Sequence, residues 1–206
     1  MYEKADEIKY VEMNKIGCNH CTKLEYLEST GTQYIDTEIA AQDNLTVIIT
    51  FQTLSVDLWQ VVAGSNYSLS MYVKNNNIAV AGNVVSNWVP SSNNIFKNVE
   101  FGTRTFPNRY FKYNNDERTQ NRSREPGYKL FLFGLNDNNS LFSKTGVYSD
   151  QPVPFRGRIY VVSMLLNNIL VRDYIPVLDK NNRPCLFDKV SKTCFYNQGT
   201  GEFLYG

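Results

Sequence analysis

The chain has 206 residues, 42% of them apolar and 14% aromatic, with a formal charge of +1. That length suits one all-β domain able to bury its own core, and the near-zero charge supplies no global field to attract nucleic acid or an anionic membrane. No stretch approaches the length of a membrane span, and the opening MYEKADEIKY carries charges where a secretory signal needs an apolar run.

Residues 1–22 lack a clear apolar period and read as an N-terminal arm, leaving 23–206 as the folded domain. From Leu45 to Phe51, apolar residues alternate with Thr46 and Thr50, the pattern of a strand with one face on a core. Residues 58–64, 67–73 and 78–82 follow as short strands, the last two joined by a turn at Asn75–Asn77. Residues 99–106, 109–113 and 128–135 add three more apolar-aromatic segments, with a polar loop expected between Tyr113 and Pro126. Residues 158–166 and 169–177 are separated only by Asn167-Asn168, a pair that accepts positive φ and so predicts a tight hairpin. Its first arm is apolar on both faces and is expected at the centre of a sheet, covered on both sides. Residues 184–188 and 193–196 close the chain as a final hairpin. Many short strands, clustered Asn turns and no sustained 3.6-residue stripe predict an antiparallel two-sheet β-sandwich or a barrel.

Three strings carry a resemblance: LEYLESTGTQYIDT (24–37), FRGRIYVVSMLLNNILVRDYIPVLD (155–179) and PCLFDKVSKTCFYNQGTGEFLYG (184–206). Together they resemble the concanavalin A-like, laminin-G-like domains of phage structural proteins and gut-bacterial surface proteins. The resemblance spans nearly all of 23–206 and implies a jelly roll whose terminal segments lie together; the arm has no place in it. It names a family rather than a ligand, because such sandwiches serve as glycan-binding, adhesion and assembly modules. The expected role is that of a virion structural protein, a capsid decoration or tail-fibre component assembled in the host cytoplasm. It would be held to other virion proteins through residues 1–22, with an outer face for host or mucosal glycans, and a homo-oligomer is compatible with it. The competing role is a bacterial adhesion or carbohydrate-binding module at the cell surface.

No catalytic residue is assigned. Glycoside cleavage needs two facing carboxylates, no E-x-D-x-x-E-like string occurs, and the Asp36/Glu38 alternation lies in a terminal string; His20, the sole histidine, stands in the arm. Basic residues between Arg104 and Lys129 interleave with aromatics, but a solvated loop explains them better than nucleic-acid binding. The glycan candidates are Trp88, with Asn87 and Asn93 beside it in a polar loop, and Trp59, whose strand context favours the core. Asp137, flanked by Asn136 and Asn138, is a thin calcium candidate with a single carboxylate, and a turn explains the run better. Cys18 and Cys21 form a C-N-H-C unit, and with Cys185 and Cys194 there are enough thiolates for tetrahedral zinc. The second pair is too widely spaced for a knuckle, so free thiols are expected ahead of zinc or a Cys185–Cys194 disulfide, with no resident cofactor.

Overall fold

The computed structural model describes residues 13, 15, 17–55, 59–65, 69–74, 77–80, 83–86, 95–105, 108–113, 116–121, 127–137, 140–141 and 153–206. The first strands are β1 (Thr22–Lys23), β2 (Leu27–Thr30), β3 (Ile35–Ala40), β4 (Leu45–Thr53) and β5 (Gln60–Ser65). Next come β6 (Leu69–Lys74), β7 (Asn77–Val80), β8 (Asn83–Ser86), β9 (Ile95–Thr103) and β10 (Asn108–Tyr113). The middle of the chain supplies β11 (Asp116–Asn121), β12 (Lys129–Leu132), β13 (Leu135–Asp137), β14 (Ser140–Leu141) and β15 (Val153–Pro154). The last are β16 (Arg156–Leu166), β17 (Ile169–Leu178), β18 (Pro184–Asp188), β19 (Thr193–Phe195) and β20 (Leu204–Tyr205). The protein is all-β, as its composition predicts, and among the described residues no helix is long and apolar enough to cross a membrane.

Two sheets are formed. The larger runs β11-β10-β9-β4-β16-β17-β18-β19, with β2 pairing β16 and β20, and β1 pairing β17. The smaller runs β14-β13-β5-β6-β7-β8, with β12 joining β3 and β5. The expectation of antiparallel pairing holds throughout the larger sheet but not the smaller, where β13 and β15 both lie parallel to β5. Both parallel strands are two or three residues long, so no sequence period could announce them.

Alternation places the core. Leu45, Val47, Ile49 and Phe51 on β4 are fully buried while Thr46, Ile48 and Thr50 are half-buried on the other face. Facing them are Val62, Leu69, Met71, Val73 and Ile78 from the smaller sheet. Phe51 stacks on Phe96 at 5.1 Å and meets Phe155 edge-on at 5.9 Å, closing one end.

The predicted hairpin is present. Asn167 and Asn168 have φ of 52° and 62°, the mirror-image turn that matches strand twist. Its first arm, β16, sits centrally between β4 on one side and β2 and β17 on the other. It is not covered on both sides. A bulge between Ile159 and Val161 resets the alternation, so that Gly157, Ile159, Val162 and Met164 face the core. Val161 and Leu165 are left half-exposed outside.

Candidate functional site

A cleft of about 400 Å³ lies on the outer face of the larger sheet. Three Asn residues in left-handed conformation build one rim: Asn44 (φ 56°), Asn167 and Asn168. The Asn44 amide donates to the Asn167 side-chain oxygen at 3.0 Å, and Asn167 N–H donates to the Asn44 carbonyl at 3.1 Å. The chemistry that turns the chain therefore also collects side-chain amides at one place.

The opposite wall comes from β9, β10 and β11. Register aligns Glu100, Lys112 and Glu117 across the three strands, and Arg104 pairs with Glu117. Tyr110 lies under the Arg104 guanidinium at 5.4 Å and shares a 2.6 Å hydrogen bond with the Thr46 hydroxyl. It fits there because position 102, directly across from it, is glycine: a Cβ would stand 2.9 Å from the Tyr110 ring and 2.3 Å from the Leu45 carbonyl oxygen. Burial, opposed by the Thr46 hydrogen bond and reinforced by Glu100, pushes the Tyr110 hydroxyl up to about 12, so it stays neutral. The cleft thus offers amides, hydroxyls and carboxylates around a mostly buried ring, a lining that suits a hydroxyl-rich ligand better than an apolar one.

β11 itself is a departure from expectation, since it occupies the run read as a loop. Tyr113 pairs with Asp116, the first residue of β11, so β10 and β11 run antiparallel to each other. Glu117, Arg118 and Thr119 are all exposed, so this edge strand has no buried face and hence no period to read. The basic residues nearby do not form one surface. Arg109 is buried at 1% exposure, Lys129 pairs with Asp36 at 3.1 Å, and Arg122 and Arg124 lie outside the described residues.

The sequence candidates are scattered. Trp88, Asn87 and Asn93 lie outside the described residues. Trp59 is half-buried, its ring 5.4 Å from that of Tyr72 in a small cluster with Val61 and Leu135. Asn136 is fully buried and donates its amide to the Lys129 carbonyl at 2.9 Å. Asp137 ends β13, and Asn138 lies outside the described residues. Asp36 and Glu38 line a second cleft of about 280 Å³, where Asp36 receives Glu38 N–H at 2.7 Å and Arg172 stands 3.8 Å from Glu38.

The cysteines follow expectation at Cys185 and Cys194 and depart from it at Cys18 and Cys21. Cys18 and Cys21 are joined by a disulfide, whereas Cys185 and Cys194 are free thiols. The register explains why the latter are not bridged: Cys194 lies opposite Phe187, so Cys185 is its diagonal neighbour rather than its cross-strand partner. The end of the arm also lies on its own sandwich. Met13, Cys18 and Cys21 pack with Val177, Cys185 and Phe187, and β1 adds itself to β17. The C-x-x-C unit was the available signal, because two buried Cys beside an apolar pair need a surface to cover. No protein-family model matches the chain, and no curated protein does.

Proposed function

We propose that this chain is a non-catalytic virion structural protein, a capsid decoration or tail-fibre component, built on a laminin-G-type jelly roll. The observation that supports this reading is the adjacency of the three strings that carry the resemblance. β2 pairs with both β16 and β20, β16 with β17, and β17 through β18 to β19. The last string folds back on the first: Gln198 N–H donates to Tyr34 O at 2.9 Å and Thr200 N–H to Thr32 O at 3.2 Å. Gly199 is needed there, since a Cβ would stand 1.9 Å from the Thr32 carbonyl oxygen. The residues that suggest the family are thus the ones that weld the termini together, leaving the opposite side of the larger sheet for contacts.

In this role the outer-face cleft at Asn44, Asn168 and Glu100 takes host or mucosal glycans. The segment ahead of Met13 docks onto other virion proteins. Truncating residues 1–12 tests the assembly part, because it spares Met13, Cys18 and Cys21. The truncated chain should melt like the full one and be missing from assembled particles; incorporation at the normal level would contradict the reading.

A further inference from the structure

We propose that Cys18, Cys21, Cys194 and Cys185 form a structural zinc site that fastens the arm to the outer face of the larger sheet. The Sγ atoms of Cys18, Cys21 and Cys194 all lie within 4.8 Å of one another, and Cys185, the diagonal neighbour of Cys194 across β18 and β19, packs in the same cluster. A tetrahedral zinc with Zn–S bonds of ~2.3 Å sets its sulfurs ~3.8 Å apart, so once the disulfide is reduced the Cys18 and Cys21 sulfurs part by roughly 2 Å, Cys194 closes in by about an ångström or less, and Cys185 supplies the fourth thiolate.

The local structure supplies the rest of a knuckle. Gly17 (φ 88°) and His20 (φ 63°) turn the backbone around the C-N-H-C unit, and Cys21 N–H donates to Cys18 O at 3.3 Å. Val177 and Phe187 wall the thiols with apolar surface. One cation, Lys192, stands beside the C-N-H-C unit, its side chain 3.1 Å from where a Cβ at Gly17 would lie, whereas Arg183, stacked at 4.4 Å over Tyr196, is paired with Asp179 at 2.9 Å. Four thiolates leave no open position, so the ion is structural rather than catalytic.

Loading starts from the disulfide. Two equivalents of a low-molecular-weight thiol reduce the Cys18–Cys21 bond, giving two Cys thiols and one small-molecule disulfide. Zinc then displaces the four thiol protons into solvent. In a reducing cytoplasm the metal form is expected, and the disulfide form in an oxidising one.

The test is cobalt titration of the full chain kept reduced with a phosphine, followed by zinc. One cobalt per chain is expected, with the thiolate-to-cobalt charge-transfer band and the intense visible bands of a tetrahedral site, both erased by one equivalent of zinc. Cys194→Ser should lower cobalt affinity by at least ~100-fold. Bands unchanged in that variant would place the metal on the arm alone and overturn the site. As a check independent of whether variants fold, zinc should protect Cys194, the one of the four that is not buried, from iodoacetamide. Alkylation of Cys194 at the metal-free rate would overturn the site. So would a reduced chain that takes no cobalt but, on oxidation, traps Cys194 with Cys18 or Cys21, which assigns the cluster to thiol–disulfide exchange.

Discussion

Ile159 and Val161 are two positions apart on one strand, and uniform alternation would put them on the same face. The bulge between them separates their fates: Ile159 is fully buried in the main core, whereas Val161 is half-exposed on the outer face. Ile159→Ala removes three carbons, about 2.4 kcal/mol of transfer energy at ~0.8 kcal/mol each, and the cavity left in a close-packed interior raises the cost to about 3–4 kcal/mol. Val161→Ala removes two carbons from a site already half in water and should cost under about 1 kcal/mol. Urea unfolding followed by tryptophan fluorescence and circular dichroism measures both, read as a shift in midpoint at constant m. Equal losses for the two variants would refute the bulge and return the strand to uniform alternation. A larger loss for Val161→Ala would put the outer face, not the inner, against the core.

Acid sensitivity follows from two carboxylates near the C-terminal strands. Burial raises Asp179, but N–H donors from Arg183 and Asn181, the Tyr196 hydroxyl and the Arg183 guanidinium outweigh it and hold the group at about 2. Burial likewise raises Asp188, and Ser191 with the backbone N–H groups of Asp173 and Val190 brings it below the ordinary value of 3.8. A depressed folded value means stabilisation that is complete above that ordinary value and fades as pH falls toward 2. Asp179→Asn should therefore flatten the acid limb of a stability–pH profile between about 4 and 2; an unchanged limb would show that the carboxylate is not held low. Gly199→Ala should cost at least about 2 kcal/mol, because the new Cβ meets backbone rather than a movable side chain, and a melt within a degree of wild type would contradict the close approach. In a glycan-array screen followed by titration of the best hit, Asn168→Ala and Glu100→Gln should each weaken binding ~5–10-fold, the loss of about one hydrogen bond. Full affinity in both, with loss in Trp88→Ala, would move the contact to the 87–94 segment.

The sequence was most informative where one face is buried and the other wet. The Thr-interleaved run of β4, the Asn167-Asn168 turn and the terminal hairpin of β18 and β19 could be placed from period and turn chemistry alone. Three features escaped it for distinct reasons. β11 is an edge strand with no buried face, so its polar residues looked like loop. The parallel partners of β5 are too short to show a period. The bulge in β16 shifts alternation by one position, and because Val161, Val162 and Leu165 are all apolar, the pattern could not say which of them faced in. The outer-face cleft was half legible. Asn167 and Asn168 were read correctly as a turn, but that Asn44 meets them at one rim depends on the pairing of β4 with β16, which only the fold supplies. The cysteines show the same limit, since Cys18 and Cys185 are brought together by β1 lying on β17.

The most direct test of the proposed role is gold-labelled electron microscopy of the native assembly, with antibody raised against the folded chain. Label at regular positions on phage capsids or tails is the expected result. Label confined to a bacterial envelope, with unlabelled particles in the same preparation, would contradict the virion role and make the sandwich a surface adhesion module.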